Sequence, residues 1–239
     1  MNYHDSTNGP LKLPQMLDFG RFEPMFRTKP ENHWFWYMSL SAYKLGRSAF
    51  NHSPELTSFF HFISHYYQTD VAIETGTFEG FTTRFFALNF DEVHTIESSE
   101  ENYKKGDDLL QDCANVHRYL GNSPDVLKQI LPTLQEKRIF CYLDAHWYDY
   151  WPLLDEIEEI GKTHKDNCII VVDDVQVPGR QDVQFDSYNG HPCSHEYVKS
   201  KLESVFTGYH YLYVIPRNPE MRGKFVAYPK KWKDLSLTT

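Results

Sequence analysis

From Asp70 onward the sequence alternates two kinds of segment, and this alternation constrains the fold more than any other feature. Short apolar runs, Val71–Ile73, Val93–Ile96, Val116–Leu120, Ile139–Leu143 and Cys168–Val172, end near acidic residues or glycines. Between them lie amphipathic stretches of helical length, at 81–90, 100–112, 124–134 and 152–160. A strand reads as a continuous apolar run when both faces of its sheet are covered, so repeated strand–helix units predict a parallel sheet with helices on both sides. Its crossovers are expected to be right-handed. Helix starts are marked as well. Ser98 with Glu101 reads as a capping box, while Ser53-Pro54 and Ser123-Pro124 read as caps followed by a proline. The tail breaks the pattern: a loop from Gln176 to Cys193 precedes a helix capped by Ser194. Two last strands, Tyr209–Ile215 and Lys224–Tyr228, are joined by a link short enough to make them antiparallel.

The opening of the chain is different. Pro10, Pro14, Pro24 and Pro30 punctuate an irregular lead-in. Residues 33–50 carry Trp34, Phe35, Trp36 and Tyr37, are expected to be helical, and read as core more readily than as pocket. With the helix after Ser53 they form an expected N-terminal helical extension over 1–68, beside a main domain over 69–239. Hydrophobic residues at 41% and aromatics at 16% exclude a disordered chain. A formal charge of −9, from 24 Lys+Arg against 33 Asp+Glu, disfavours non-specific binding to nucleic acid. No apolar run approaches the roughly 20 residues of a spanning helix, so no membrane partner is expected. Residues 1–15 lack a basic-then-apolar leader, and Cys113, Cys141, Cys168 and Cys193 are scattered. Both features predict reduced thiols in a cytoplasmic protein.

The sharpest local signal is Ile73-Glu74-Thr75-Gly76-Thr77-Phe78-Glu79-Gly80, which follows a strand and opens a helix. Glycines there permit a tight bend and close approach of a ligand to the main chain. In the dinucleotide fingerprint a second glycine makes room for pyrophosphate, but Phe78 fills that place. Glu74 at the strand end would repel phosphate and attract an ammonium group. The turn therefore suits a nucleoside with an amino-acid tail better than a dinucleotide. Glu97 ends the second strand about 20 residues on, where a carboxylate can accept from both ribose hydroxyls. Gly121-Asn122-Ser123 ends the third strand with polar groups able to meet an adenine edge.

From Val71 to Tyr228, about two-thirds of the chain, this set resembles the class I S-adenosylmethionine-dependent methyltransferases. The resemblance implies a Rossmann-like, doubly wound α/β fold. Its seven-stranded sheet would run 3-2-1-4-5-7-6, mostly parallel with an antiparallel C-terminal hairpin; the N-terminal extension, outside the resemblance, is a candidate lid. It places Glu74 and Gly76 near the methionine part of the donor, Glu97 at the ribose, and Asn122 and Ser123 near the adenine. Thr77, Phe78, Gly80, Ser98 and Asp144 complete the implied cofactor-binding set.

Asp144 closes the fourth strand, and Asp173-Asp174 closes the fifth. If these strands are neighbours, three carboxylates meet at one sheet edge and repel unless a cation lies among them. All-oxygen ligation suits Mg²⁺. Metal-dependent O-methyltransferases of the catechol and macrocin/sugar types carry this arrangement, and by resemblance Asp144, Asp173 and Asp174 are the metal ligands. The catechol-type lysine three residues past the first aspartate is replaced by Trp147. His146 or Asp144 is then the base. His191, Cys193 and His195 lie in the loop after the fifth strand without a fourth zinc ligand, and the two histidines are within reach of a substrate. The expected function is S-adenosylmethionine-dependent, Mg²⁺-dependent methyl transfer to a hydroxyl of a small molecule or sugar, by a chain that could form a homo-oligomer. A nicotinamide- or nucleotide-sugar-linked oxidoreductase and a catalytically silent binding module are the alternatives.

Overall fold

A computed structural model of the protein describes residues 15–18, 49–146, 150–218 and 221–235. The aromatic residues Trp34, Phe35, Trp36 and Tyr37, most of the helix expected around them, and Trp147 lie outside the described residues.

The five apolar runs form the parallel strands β2 (Val71–Thr75), β3 (Glu92–Glu97), β4 (Val116–Leu120), β5 (Ile139–Leu143) and β6 (Cys168–Val175). After a two-stranded loop hairpin, β7 (Ser187–Tyr188) with β8 (His191–Pro192), come β9 (Tyr209–Ile215) and β10 (Gly223–Pro229). The main sheet is ordered β1-β9-β10-β6-β5-β2-β3-β4, with β10 antiparallel to both neighbours. Counted from β2 and without the loop hairpin, seven of these strands stand in the expected 3-2-1-4-5-7-6 order. The eighth, β1 (Gln15–Asp18), pairs parallel with β9 at the edge, within the stretch expected to be an irregular lead-in.

Among the described residues five helices cover the sheet: α1 (Pro54–Tyr67), α2 (Phe81–Asn89), α5 (Ser123–Ile130), α6 (Leu153–Thr163) and α7 (His195–Val205). α3 (Glu100–Lys105) is followed by a one-turn helix, α4 (Asp107–Leu110), so the long helix expected over 100–112 breaks at Gly106. Because side chains alternate along a strand, the sheet feeds two apolar layers. One joins Ile73, Cys141 and Ile170 to Leu127, Ile157 and Leu202 of α5, α6 and α7. The other joins Ala72, Phe140 and Val171 to Phe60 and Ile63 of α1 and Phe86 of α2. α1, which falls in the expected N-terminal extension, contributes Phe60 and Ile63 to this second layer.

Three local readings shift by a residue or more. The cap of α3 is Ser99, whose hydroxyl accepts the Asn102 amide at 3.3 Å, and not Ser98. Asn122 and not Ser123 occupies the cap position of α5, and the Ser123 hydroxyl donates instead to buried Glu156. β6 runs on through Asp173 and Asp174 rather than ending at Val172. Ser53 caps α1 as expected, accepting from the Leu56 amide.

Candidate active site

A cleft of about 730 Å³ opens at the carboxyl ends of β2, β3, β4, β5 and β6, within the size range of small-molecule sites. Gly76, Phe78, Glu97, Ser98, Asn122, Ser123, Asp144, His146, Asp173 and Asp174 line it. Ten residues expected from the sequence therefore converge on one place.

The glycine turn forms the floor. Gly76 has φ +89, and its amide donates to the Ile96 carbonyl at 2.9 Å. A Cβ on Gly76 would lie 2.7 Å from the backbone oxygen of Asp144, so no other residue brings β2 and β5 together this closely. Phe78 stands where the dinucleotide fingerprint has a glycine, and it keeps the glycine's left-handed conformation at φ +49. A bulky residue in that region is strained. The residue is 57% exposed and lines the cleft. Glu97 is fixed by two amides: Phe78 N–H donates to Oε2 at 2.9 Å and Ser99 N–H donates to Oε1 at 2.8 Å. Each carboxylate oxygen retains a lone pair for a ligand.

Glu74, Thr77 and Gly80 belong to the expected set, but the structure places them behind the cleft rather than in its wall. Glu74 is buried, and its Oε2 accepts from Thr83 and Thr95 at 2.5 and 2.7 Å. Burial, against the pull of those two hydroxyls, pushes its carboxyl up to about 7. Thr77 shares a 2.6 Å hydrogen bond with Thr95, and Gly80 begins α2.

The inner end of the cleft is where sequence and structure differ most. Asp173 is buried and held by three donors: it accepts from the Tyr142 hydroxyl, from the Lys224 ammonium, and from the Asp174 amide at 2.5 Å. Burial alone would raise its pKa, but Lys224 outweighs this and holds the carboxyl below its usual value. The cause is a bulge. On β10, Gly223 pairs with Val175 and Phe225 with Val172, so Asp173 and Asp174 together face Lys224 alone. Asp174 takes the left-handed φ of +56, which turns its carboxylate into the cleft. There Arg222 reaches it at 3.3 Å and reaches Asp186 at 2.8 Å.

Of the expected trio, Asp173 is thus the member tied into the protein, by Lys224 and Tyr142. The atoms that converge belong to Asp144, His146 and Asp174, whose ligand-bearing atoms lie within 4.8 Å of one another. Burial, followed by repulsion from Asp173, pushes Asp174 up to about 8. The same two causes, with Asp174 added, raise Asp144 well above the carboxylate range.

Lys224, Arg222, Asp186 and Tyr188 shape this end without having been singled out in the sequence. Lys224 had only one available signal, a charged residue opening an apolar run. Of the two loop histidines, neither lines the cleft. His195 bonds the Tyr209 hydroxyl at 2.8 Å and stacks on Tyr211 and Phe225, while the His191 ring packs on Tyr197. Among the described residues no helix is long and apolar enough to cross a membrane.

No protein-family model matches the sequence, and no curated protein matches it. Solved structures do. The O-methyltransferase TomG of Streptomyces achromogenes, in complex with SAM and involved in tomaymycin synthesis, is 16% identical with a TM-score of 0.54, over 82% of this chain and 89% of that one. An O-methyltransferase of Bacillus cereus in complex with SAH is 17% identical, TM-score 0.54, over 81% and 89% of the two chains. Cofactor-bound Rv0187 from MTB is 19% identical, TM-score 0.54, over 84% and 89%. The chain has the Rossmann-like fold of the class I O-methyltransferases.

Proposed function

We propose that this protein binds S-adenosylmethionine in the cleft and transfers its methyl group to a hydroxyl of a small acceptor. One observation carries the reading: the glycine bend at Gly76, the doubly anchored carboxylate of Glu97 and the Asp144–Asp174 pair line a single cleft in a fold shared with O-methyltransferases. The backbone at Gly76 and Phe78 takes the methionine part, and Glu97 takes the ribose hydroxyls. Ser98 and Asn122 lie toward the adenine. Glu74, Thr77 and Gly80 act from behind by holding the turn, and Ser123 acts from the cleft wall at the start of α5.

The residues also fit a divalent cation. Four carboxylates, Asp144, Asp173, Asp174 and Asp186, stand around only two cations, Lys224 and Arg222, and the upward shifts of Asp144 and Asp174 reflect the cost of ionising all four without a further cation. Mg²⁺ is commonly held by one or two carboxylates and keeps sites for substrate oxygens. Asp144 and Asp174 would hold it, and Asp173 would position Asp174 through its amide. Bound there, the ion would lower the acceptor hydroxyl's pKa and fix its orientation. His146 is exposed in the cleft beside the Tyr188 ring and takes the hydroxyl proton, since an imidazole can accept near neutral pH. Positioning does the remaining work, by holding oxygen, methyl carbon and sulfur in line. Four cysteines, none in a disulfide, support a cytoplasmic setting for this chemistry.

The test is incubation with methyl-labelled donor and a panel of sugars, catechols and polyketide-like phenols, with Mg²⁺ or with chelator. Label on an acceptor oxygen that disappears in Asp144→Asn is the expected result. Donor binding without transfer to any acceptor would make the chain a binding module instead.

A further inference from the structure

The opposite end of β3 carries a second cluster that methyl transfer does not use. His94 on β3 and His117 on β4 are register partners, and Glu92 lies two residues before His94 on the same face of the sheet. Their ligand-bearing atoms lie within 4.8 Å of one another. One atom is the meeting point: Glu92 Oε1 is 2.9 Å from His94 Nε2 and 3.5 Å from His117 Nε2. The two imidazoles stack with centroids 4.9 Å apart, and both Nε2 atoms approach the same Glu92 oxygen. Behind them His94 Nδ1 is 3.0 Å from the Tyr119 hydroxyl. A proton on Nδ1, donated to that oxygen, frees Nε2 as a lone-pair donor, and it is such an outer partner that orients metal-bound histidines. β4 is the last strand of the sheet, and the His117 side chain is 51% exposed, so the group can be reached from solvent. Glu92 begins the strand that Glu97 ends, about 17 Å away at the rise of a β-strand, so the cluster is separate from the cleft.

We propose that Glu92, His94 and His117 form a binding site for a divalent transition metal of the Zn²⁺ type. Two imidazole nitrogens and one carboxylate oxygen are the donor set that Zn²⁺ accepts in three-ligand sites, with water in the fourth position. Mg²⁺, which prefers oxygen, is not held there. The buried imidazole and fixed carboxylate give the site a preformed geometry, and the exposed His117 closes it.

The experiment titrates the full chain with Zn²⁺ against a chromophoric chelator, beside His117→Ala, Glu92→Gln and the cleft variant Asp174→Asn. Circular dichroism checks that each is folded. The wild type and Asp174→Asn should each show one equivalent of Zn²⁺ that His117→Ala lacks and that Glu92→Gln holds at least about tenfold more weakly. Visible absorption of low-coordinate Co²⁺ should follow the same pattern. Absence of Zn²⁺ binding to the wild type, or binding that His117→Ala leaves intact, overturns the proposal. So does loss of the equivalent in Asp174→Asn alone, which would locate the ion in the cleft.

Discussion

The Lys224 ammonium is ion-paired with the Asp173 carboxylate inside the molecule, where their side chains are only 4% and 7% exposed. Removing one partner of such a pair leaves an uncompensated buried charge. Lys224→Met should therefore lower stability by about 3–5 kcal/mol in urea denaturation. Adding Asp173→Asn should recover part of that loss, because the stranded charge is then gone. Equal stability of wild type and Lys224→Met would show that the pair is not formed.

The bend at Gly76 gives a second expectation. With φ +89 and only 2.7 Å available between a new Cβ and the Asp144 carbonyl, Gly76→Ala must move β5 away from β2. The left-handed backbone alone costs about 1–3 kcal/mol for a non-glycine residue. Because Asp144 moves with its carbonyl, donor binding and Mg²⁺ response should fall together. Calorimetry on the variant checks this, and unchanged donor affinity would contradict it.

What could be read in the sequence follows from the range of each interaction. Runs such as Ile139–Leu143 are apolar along their whole length because both faces are covered, so the seven strands from β2 onward were legible, while their order came from the resemblance to the class I methyltransferases. The meeting of Asp144 with Asp173 and Asp174 followed from that order. The role of Lys224 was not legible, since it depends on a bulge that sets it against two residues of β6. Nor was β1, only four residues long and carrying no periodicity. The cap of α3 moved from Ser98 to Ser99 because adjacent serines differ only in backbone angles. Asp186 and Tyr188 reach the cleft from a long loop, whose path no local pattern records.

Cation dependence separates Asp174 from Asp173. Asp174→Asn should remove most Mg²⁺ stimulation of methyl transfer while changing donor affinity little, since Glu97 and Gly76 lie apart from it in the cleft wall. Chelator should affect the wild type and leave the residual activity of Asp174→Asn unchanged. Full activity of the wild type in chelator would remove the ion from the account.

Stability should also carry a pH signature from Glu156. Burial, opposed by a hydrogen bond from Ser123, pushes its carboxyl from an ordinary 4.5 up to about 7. The folded state thus keeps a proton that the unfolded chain releases. The stabilisation is complete below pH 4.5 and is lost as the pH rises to about 7. Glu156→Gln removes this dependence. Relative to the wild type it should gain up to about 3 kcal/mol on going from pH 4.5 to pH 8, at 1.36 kcal/mol per unit. Urea midpoints for both proteins across this range provide the measurement, and parallel curves would contradict it.

Isothermal titration of the full chain with S-adenosylmethionine tests the central claim most directly. One saturable equivalent is predicted, with Glu97→Gln binding about tenfold more weakly for the loss of a charged acceptor. No detectable binding at millimolar donor would contradict the account, whatever the aspartates beside it hold.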